Sequence, residues 1–305
     1  MDSRLRRAPV DRRLARARPP DARSRRGKVA VREALREARA ALASAGCENP
    51  GLDGELLLAH ALGVGRERLA LDGELTLAAA QRRAFQQLLR RRAAGREPVA
   101  YILRRRSFRG LELEVDARAL VPRPETELLV ELALALKPGA RVLDVGTGSG
   151  AVALALKDER GDLQVSGSDI SSQALELAAA NGRRLGLDVR WLRADLLRGV
   201  PDEFDALLAN LPYVAERDRA GLAPEITRHE PRTALMAGPD GLASMRVLLA
   251  QVPAHRRLQM LALEVGAGQA GTVARMMAEA GFGGVRAERD LAGVERVLVG
   301  ERARA

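Results

Sequence analysis

The 305-residue chain has little of what several classes of protein depend on. Its single cysteine, Cys47, excludes an internal disulfide, argues against a cysteine-ligated metal cluster and fits a reducing, cytoplasmic compartment. The aromatic residues are one Trp, two Tyr and four Phe, too few for a platform that stacks single-stranded bases. The apolar runs fall short of the roughly 20 residues that span a bilayer. We therefore expect a soluble protein with no membrane partner.

Lysine is also scarce, with three lysines against 47 arginines, and the positive charge is concentrated at one end of the chain. The formal net charge is +10, but residues 1–28 alone contain eleven basic and three acidic side chains. The remainder has 39 basic and 37 acidic residues and is nearly neutral. A protein that binds nucleic acid through its folded body should carry excess positive charge there. The charge pattern therefore gives no reason to require a nucleic-acid partner.

The chain divides by composition and periodicity into four segments. Residues 1–28 are rich in Arg, Ala and Pro and predict a disordered extension. It is a flexible basic arm, a transit-like peptide or a set of upstream codons included by a misplaced start, since the next methionine is Met236. Residues 29–97 have a helical period and predict a small helical domain. Residues 98–118 alternate around Phe108, Leu111 and Leu113 and predict a β-hairpin linker to the domain 119–305.

In residues 119–305, short apolar runs alternate with helical patterns. We expect strands at 141–145, 163–167, 189–192, 204–209 and 258–265. Such alternation predicts parallel strands joined by crossover helices. Two last runs, 285–288 and 296–299, are close in sequence and predict an antiparallel pair. The expected fold is α/β, with a doubly wound, mostly parallel, seven-stranded, Rossmann-like sheet.

A glycine-rich loop follows the first of these strands, in residues 142–150 (Val-Leu-Asp-Val-Gly-Thr-Gly-Ser-Gly). Glycines permit a tight turn and a close approach of ligand to backbone. The candidate ligand-binding residues here are Asp144, Gly146, Thr147, Gly148, Ser149 and Gly150. The spacing also fits a loose dinucleotide fingerprint. Asp144, however, would repel a pyrophosphate and can organise a loop around a cationic amino-acid group, which favours S-adenosylmethionine over NAD.

Two further acidic residues follow the next two strands. Asp169 ends the second strand, where a carboxylate can accept hydrogen bonds from both ribose hydroxyls. A role only as N-cap of the helix that begins near Ser171 is the alternative. Asp195 follows the third strand and is either a partner of the adenine amino group or a solvated turn residue.

The tetrapeptide Asn210, Leu211, Pro212 and Tyr213 comes directly after the apolar strand 204–209. Ligands of open α/β sheets bind at the carboxyl ends of the strands, so this segment should face the glycine loop. A planar NH2 group is a poor nucleophile because its lone pair is delocalised. The Asn210 side-chain oxygen and the Leu211 carbonyl can accept both of its N–H groups and aim the lone pair at a methyl donor, while Tyr213 packs on the plane. Alone, the segment is equally a polar strand end with a proline turn; with the loop, it predicts a methyltransferase.

From about residue 37 to residue 300, the chain resembles the bacterial release factor glutamine methyltransferase family. The resemblance extends well beyond the glycine loop and the tetrapeptide. It is carried by residues 52–60 (Leu-Asp-Gly-Glu-Leu-Leu-Leu-Ala-His), 96–102 (Arg-Glu-Pro-Val-Ala-Tyr-Ile), 121–127 (Val-Pro-Arg-Pro-Glu-Thr-Glu), 230–232 (Glu-Pro-Arg), 238–241 (Gly-Pro-Asp-Gly), 264–266 (Glu-Val-Gly) and 290–293 (Asp-Leu-Ala-Gly).

The resemblance implies a class I methyltransferase that moves a methyl group from S-adenosylmethionine to N5 of the glutamine in the Gly-Gly-Gln motif of peptide chain release factors, supporting translation termination. It implies that residues 146–150 and Asp169 hold the donor and that residues 210–213 hold the glutamine, with Asn210 between donor and target. Arg123 and Glu127 would lie beside the donor site and bind substrate. The helical domain would grip the release factor, and no metal would be required.

Three positions depart from the family pattern. Leu196 follows Asp195 in the predicted adenine site, where the family has an aromatic residue, so ring stacking is lost there. Leu211 replaces the first of two prolines, which removes a preset φ and loosens the expected site. Arg104 replaces a glycine that normally closes the segment after Tyr101.

Other functions stay open at this point. With Leu211 in the second position, the tetrapeptide also resembles the Asn-Leu-Pro-Tyr of rRNA adenine dimethyltransferases. An N6-adenine methyltransferase acting on rRNA or DNA is therefore the main alternative. An NAD-dependent oxidoreductase would leave residues 210–213 unexplained, and a silent binding module would fail to bind S-adenosylmethionine. His60, His229 and His255 are too scattered to predict a metal site.

Overall fold

The computed structural model describes residues 29–71 and 76–302. The predicted extension 1–28 lies outside the described residues. The helical domain comes first in the described chain. Its elements are β1 (Val29–Ala30), α1 (Val31–Ser44), α2 (Pro50–Leu62), α3 (Arg66–Leu71), β2 (Thr76–Leu77), α4 (Ala79–Ala93) and α5 (Val99–Leu103).

The α1 and α2 helices form the centre of the helical domain. The buried stripe of α1 is Val31, Ala34, Ala38 and Leu42. A methyl group at Gly54 on α2 would lie 3.4 Å from the Ala38 Cβ, so a small residue on each helix permits the close approach. The last helix, α5, contributes Ile102 to this core and Tyr101 to the core of the sheet domain. A single turn of helix therefore ties the two domains together.

A short antiparallel hairpin follows α5. Its strands are β3 (Arg106–Phe108) and β4 (Leu111–Leu113). The turn residues Arg109 and Gly110 have φ of 43° and 82°, and positive φ at both turn positions is typical of a two-residue hairpin. Arg104, at the family's glycine position, also has a positive φ, of 55°. A non-glycine residue in that conformation costs about 1–2 kcal/mol, which explains why glycine is the usual choice there.

The sheet domain contains the remaining strands and α-helices. They are α6 (Glu127–Ala133), β5 (Arg141–Val145), α7 (Ala151–Glu159), β6 (Gln164–Asp169), α8 (Ser172–Leu185), β7 (Arg190–Arg193), β8 (Ala206–Ala209), α9 (Pro224–His229), α10 (Ala243–Gln251), β9 (Met260–Glu264), α11 (Ala270–Glu279), β10 (Gly283–Arg289) and β11 (Glu295–Glu301). The strand order is β10-β11-β9-β8-β5-β6-β7. Strands β5 to β9 are parallel, and β11 is antiparallel to both β9 and β10. This arrangement confirms the predicted fold class.

Helices cover both faces of the sheet, so its strands β8 and β9 are buried along their whole length. All residues of β8 and β9 are buried. Neighbouring residues on one strand enter different cores, as Leu207 and Leu208 do. This explains why the central strands are continuous apolar runs in the sequence, without the alternation of a half-exposed strand.

The strand order places the functional loops. From β5 the chain moves outward through β6 and β7, and then returns to β8 on the other side of β5. At such a reversal the connections leave a crevice at the carboxyl ends of the two adjacent strands. The glycine loop follows β5, and Asn210 follows β8. Within residues 29–71 and 76–302, none of the helices has the length and apolar character needed to cross a membrane.

Candidate active site

The glycine loop is held by backbone hydrogen bonds to the next strand. The N–H groups of Gly146 and Thr147 donate to the Ser168 carbonyl at 2.8 and 2.9 Å. Gly146, Gly148 and Gly150 have φ of 73°, 56° and 84°, a region that residues with a side chain rarely adopt. The sequence therefore uses glycine at the positions where the backbone turns back on itself.

The ring of Trp191 packs beneath the loop. A methyl group at Gly150 would lie 3.0 Å from the Trp191 Cη2, and one at Gly167 on β6 would lie 2.5 Å from its Cζ3. Both distances leave no room for a side chain without movement of the indole. The loop thus rests on the backbone of β6 and on one aromatic ring.

Asp144 is buried and bound to the loop that it precedes. Its Oδ2 accepts hydrogen bonds from Thr147 Oγ1 at 2.6 Å and from the Ala153 N–H at 3.2 Å. Burial raises the pKa of Asp144 to about 7, although these two hydrogen bonds oppose the shift. The carboxyl group therefore joins the loop to the first turn of α7, and it gains or loses its proton near neutral pH.

Asn181 on α8 also fixes the loop, and sequence reasoning missed it. Its side chain is fully buried. The Nδ2 group donates to the Ser149 carbonyl and to the Glu114 carbonyl, each at 3.0 Å, and Oδ1 accepts from the Glu114 N–H at 2.8 Å. A buried asparagine on an otherwise apolar helix face is the signal that could have identified it, because buried amides need partners.

Asp169 bridges the glycine loop and the start of α8. Its Oδ2 accepts from the Gly148 N–H at 3.0 Å, and its Oδ1 accepts from the Ser171 N–H at 2.9 Å. Ser171 is itself the N-cap, since its hydroxyl accepts from the Ala174 N–H. The helix cap is therefore Ser171, not Asp169. Burial raises the pKa of Asp169, against the lowering effect of the backbone N–H groups.

Asp195 and Leu196 lie in the turn after β7. Asp195 is exposed, and its carbonyl accepts from the Arg198 N–H at 3.0 Å. Leu196 is partly buried with a φ of 56°, a conformation that costs a leucine about 1–2 kcal/mol. Strained residues of this kind concentrate at functional sites. Adenine binding by this turn stays a prediction.

Asn210 is connected to a buried glutamate on the neighbouring strand. The Asn210 Nδ2 group donates to Thr126 Oγ1 at 2.9 Å, and that hydroxyl donates to Glu264 Oε2 at 2.7 Å. The Tyr213 hydroxyl donates to the other oxygen of Glu264, at 3.5 Å. Glu264, at the carboxyl end of β9, is only 1% exposed. Thr126 and Glu264 thus link both ends of the tetrapeptide.

Sequence reasoning quoted Thr126 and Glu264 only as part of the family resemblance and gave them no role. A charged residue that ends an apolar strand beside β8 was the available signal for Glu264. Burial raises the pKa of Glu264 to about 7, while Thr126, Arg296 and Tyr213 favour its ionised form. Burial, with the charge of Glu264, raises the pKa of Tyr213 to about 12.

A cavity of about 130 Å³ adjoins the tetrapeptide. Its wall is mostly apolar, with Leu120, Leu211, Leu222, Ile226 and Leu235 among the residues that line it beside Asn210 and Tyr213. Arg123 also lines it and donates to both oxygens of the buried Glu230, at 2.7 and 2.8 Å. The cavity therefore combines a mostly apolar wall with the hydrogen-bonding side chains of Arg123, Asn210 and Tyr213.

Arg123 and Glu127, the substrate-binding residues predicted outside the tetrapeptide, have different partners in the structure. Arg123 reaches the cavity, whereas the Glu127 carboxylate accepts from the Arg109 N–H of the hairpin turn at 3.3 Å. Glu127 is not among the residues that line the cavity. Within the described part of the chain, no group of His, Cys, Asp and Glu side chains has a geometry that could hold a metal ion.

The helical domain is fastened to the cavity wall through α9. Glu225 accepts from Arg92 at 3.0 Å and from Arg96 at 2.6 Å. Arg92 also donates to Asp53 at 2.7 Å, and its guanidinium is buried. One residue further along α9, Ile226 lines the cavity. The contact between the two domains therefore lies next to the cavity wall.

Comparisons with known proteins agree along most of the chain. The family model described as the PrmC N-terminal domain matches residues 33–103, and the model described as the methyltransferase small domain matches residues 124–238. The chain is 40% identical to the release factor glutamine methyltransferase of Rhodospirillum rubrum over 263 residues, covering 85% of this chain and 81% of that protein. It is 40% identical to the protein of the same name from Deinococcus radiodurans over 280 residues, covering 90% and 99%.

A solved structure extends the comparison to the fold. The catalytic domain of hMettl16, in complex with the MAT2A 3′UTR hairpin 6, aligns with 74% of this chain and 82% of its own at a TM-score of 0.54. The sequence identity is 15%, so this likeness concerns the fold alone.

Proposed function

The chain belongs to the release factor glutamine methyltransferase family, and on that premise we propose that it methylates N5 of the glutamine in the Gly-Gly-Gln motif of peptide chain release factors. It is an S-adenosylmethionine-dependent protein-glutamine methyltransferase. Because release factors act in translation termination, modification of that motif would give this protein a role in termination. The substrate protein and the position of the glutamine are the parts that need a direct test.

The observation that carries this proposal is the direction of the Asn210 amide. Because its NH2 group donates to Thr126, its Oδ1 is the atom left to accept a hydrogen bond at the cavity. The target amide has two N–H groups and a lone pair delocalised into its carbonyl. Acceptance of these two groups by Asn210 Oδ1 and the Leu211 carbonyl would present the face of the nitrogen for attack. Tyr213 lines the same cavity and offers a surface for the amide plane.

The loop residues fit the predicted methyl donor. Three glycines leave the backbone of residues 146–150 open to close approach, since none has a side chain in the way. Asp169 is anchored at Gly148 and lies at the carboxyl end of β6, where a ribose diol would be bound. When bound there, S-adenosylmethionine supplies an electrophilic methyl carbon on a sulfonium centre.

The chain's own contribution is orientation. A new bond forms between the amide nitrogen and the methyl carbon as the bond from sulfur to that carbon breaks. The methylated nitrogen then carries a strongly acidic proton, which passes to water or to Asn210. Alignment of the reacting atoms therefore accounts for most of the expected rate enhancement.

One observation favours a second candidate function. Leu211 gives the tetrapeptide the form found in rRNA adenine dimethyltransferases, in which the same geometry would hold an N6 amino group. In the structure Leu211 is buried, and its Cδ2 would lie 3.3 Å from a Cβ at Gly146. The leucine thus fills space against the donor loop. This packing is compatible with either planar substrate.

The decisive experiment offers both substrates at once. Purified protein is incubated with S-adenosylmethionine, an unmodified release factor and undermodified rRNA, and the Gly-Gly-Gln peptide is examined by mass spectrometry. We expect one added methyl on that glutamine and none on a release factor whose motif glutamine is replaced by alanine. Methylation of the RNA alone would overturn the proposal in favour of the adenine reaction.

A further inference from the structure

We propose that Thr126 is a positioning residue that fixes which end of the Asn210 side-chain amide faces the substrate. This inference rests on the proposed function, because it concerns how the same site accepts the target amide. It is carried by three side chains from three separate elements. Thr126 precedes α6, Asn210 follows β8, and Glu264 ends β9.

The direction of the hydrogen bonds follows from the chemistry of the groups. A threonine hydroxyl has one hydrogen to donate, and an ionised carboxylate can only accept. The Thr126 hydrogen therefore goes to Glu264 Oε2, at 2.7 Å, a distance typical of a charge-assisted bond. Only lone pairs of Oγ1 then face Asn210 at 2.9 Å, so the group opposite must be the NH2.

The alternative orientation of Asn210 would disable the site. The two ends of an asparagine amide have nearly the same shape, and shape alone does not choose between them. If the amide turned over, its Oδ1 would face the lone pairs of Thr126 and its NH2 would face the N–H groups of the target. Two acceptors would then meet on one side and two sets of donors on the other.

The orientation of the Asn210 amide should depend on whether Glu264 is protonated. A protonated Glu264 can donate to Thr126, which frees the threonine hydrogen to donate toward Asn210 and permits the reversed amide. The groups that act on Glu264 are Thr126 and Tyr213 by hydrogen bonds and Glu125 and Arg296 by charge. Glu125 disfavours the ionised form, whereas Arg296 favours it. With a pKa of about 7 for Glu264, the fraction of productive Asn210 should fall as pH decreases through neutrality.

The test compares two substitutions of one hydroxyl. Thr126→Val keeps the side-chain shape and removes the hydroxyl, and Thr126→Ser keeps the hydroxyl. With a release factor substrate, we expect Thr126→Val to lower kcat about 10- to 100-fold with little change in KM for either substrate. Thr126→Ser should stay within about threefold of the unaltered protein. In Thr126→Val, kcat should also decrease less below pH 7 than in the unaltered protein. The hydroxyl that links Glu264 to Asn210 by hydrogen bonds is absent from that variant.

The outcomes separate the two proposals. An unaltered protein that does not methylate the release factor contradicts the proposed function. An active protein in which Thr126→Val retains both kcat and the pH profile overturns the positioning role alone. If urea unfolding shows that Thr126→Val is not folded, Glu264→Gln decides the question. That variant keeps the acceptor for Thr126 and does not titrate, so a pH profile identical to that of the unaltered protein would overturn the inference.

Discussion

Arg96, just beyond α4, donates a hydrogen bond of 2.6 Å to Glu225 on α9, although 129 positions separate the two residues. The same guanidinium donates to the Ala45 carbonyl at 2.6 Å, so it joins the first helix of the helical domain to the wall of the cavity. Arg96 holds this place with a positive φ of 53°. The interface between the domains is thus a specific set of charged hydrogen bonds next to the active site.

Replacement of Glu225 by alanine should destabilise the protein and weaken the binding of its substrate. Removal of one partner from a buried ion pair costs roughly 3–5 kcal/mol when the other charge is left unpaired. The Arg92 side chain is 7% exposed and keeps Asp53 as a second partner, so we place the cost at the lower end of this range. We expect a decrease of about 3 kcal/mol in the free energy of unfolding, measured by urea denaturation, together with a raised KM for the release factor.

The matched control is an exposed ion pair within the helical domain. Glu55 and Arg66 form an ion pair 3.0 Å long whose side chains are 42% and 48% exposed. Glu55→Ala should therefore change the free energy of unfolding by no more than about 1 kcal/mol. Equal losses in the two variants would show that the Glu225 contact contributes nothing particular to the domain interface.

Asn210→Ala should abolish methyl transfer while largely sparing donor binding. The substitution removes the side-chain oxygen that would align the target nitrogen, and misalignment of that size lowers rates by about 100-fold or more. Transfer is read by mass spectrometry of the Gly-Gly-Gln peptide, and donor affinity by calorimetry on the same preparation. Full activity in this variant would rule out the orientation mechanism. Loss of donor affinity would show instead that Asn210 acts by binding S-adenosylmethionine.

Asp144→Asn should make the stability of the protein less dependent on pH. The pKa of Asp144 is about 7 in the folded protein and about 3.9 in an unfolded chain. Between these values the folded state holds a proton that the unfolded state releases, so the contribution of Asp144 to stability decreases as pH rises. Relative to the unaltered protein, the asparagine variant should gain about 2–3 kcal/mol in the free energy of unfolding between about pH 5 and pH 8.

Urea denaturation at the two pH values measures this difference directly. Asp158→Asn is the matched control, because Asp158 lies on the same helix, α7, and is exposed. The gain for Asp144→Asn between the two pH values should exceed any change measured for Asp158→Asn. Equal behaviour of the two variants would show that burial does not hold a proton on Asp144 in this range.

Gly167→Ala should weaken donor binding by displacing the side chains that pack against the glycine loop. The added methyl would lie 2.5 Å from the Trp191 ring and 2.8 Å from Thr147 Oγ1, so both groups must move. We expect a loss of about 1–3 kcal/mol in stability and weaker binding of S-adenosylmethionine in calorimetry. Gly161→Ala, where nothing lies within 4 Å of the new methyl, should leave donor binding unchanged. If the two variants bind the donor equally well, the indole does not support the loop.

The sequence was most informative where short-range pattern and sheet topology act together. An apolar run followed by glycines located the loop after β5, and a second apolar run located Asn210 after β8. Adjacent parallel strands present their carboxyl ends together, so the two segments had to meet. The antiparallel pair at the end of the chain was also predicted correctly, as β10 and β11.

The sequence was least informative about side chains that meet across long separations. Thr126 lies 84 positions from Asn210 and 138 from Glu264, and no periodicity of the chain connects them. The placement of Glu127 against the hairpin turn likewise depends on how α6 packs. Local strain was hidden as well, since nothing in the residue type of Leu196 indicates a φ of 56°.

The packing of Trp191 against the glycine loop has a spectroscopic consequence. The protein contains one tryptophan, so its indole emission originates at a single place. That ring is within contact distance of the positions a methyl group would take at Gly150 and Gly167. A change in the polarity or rigidity of the loop should therefore change the fluorescence emission of Trp191, the only indole in the sequence. This emission reports directly on the proposed donor site.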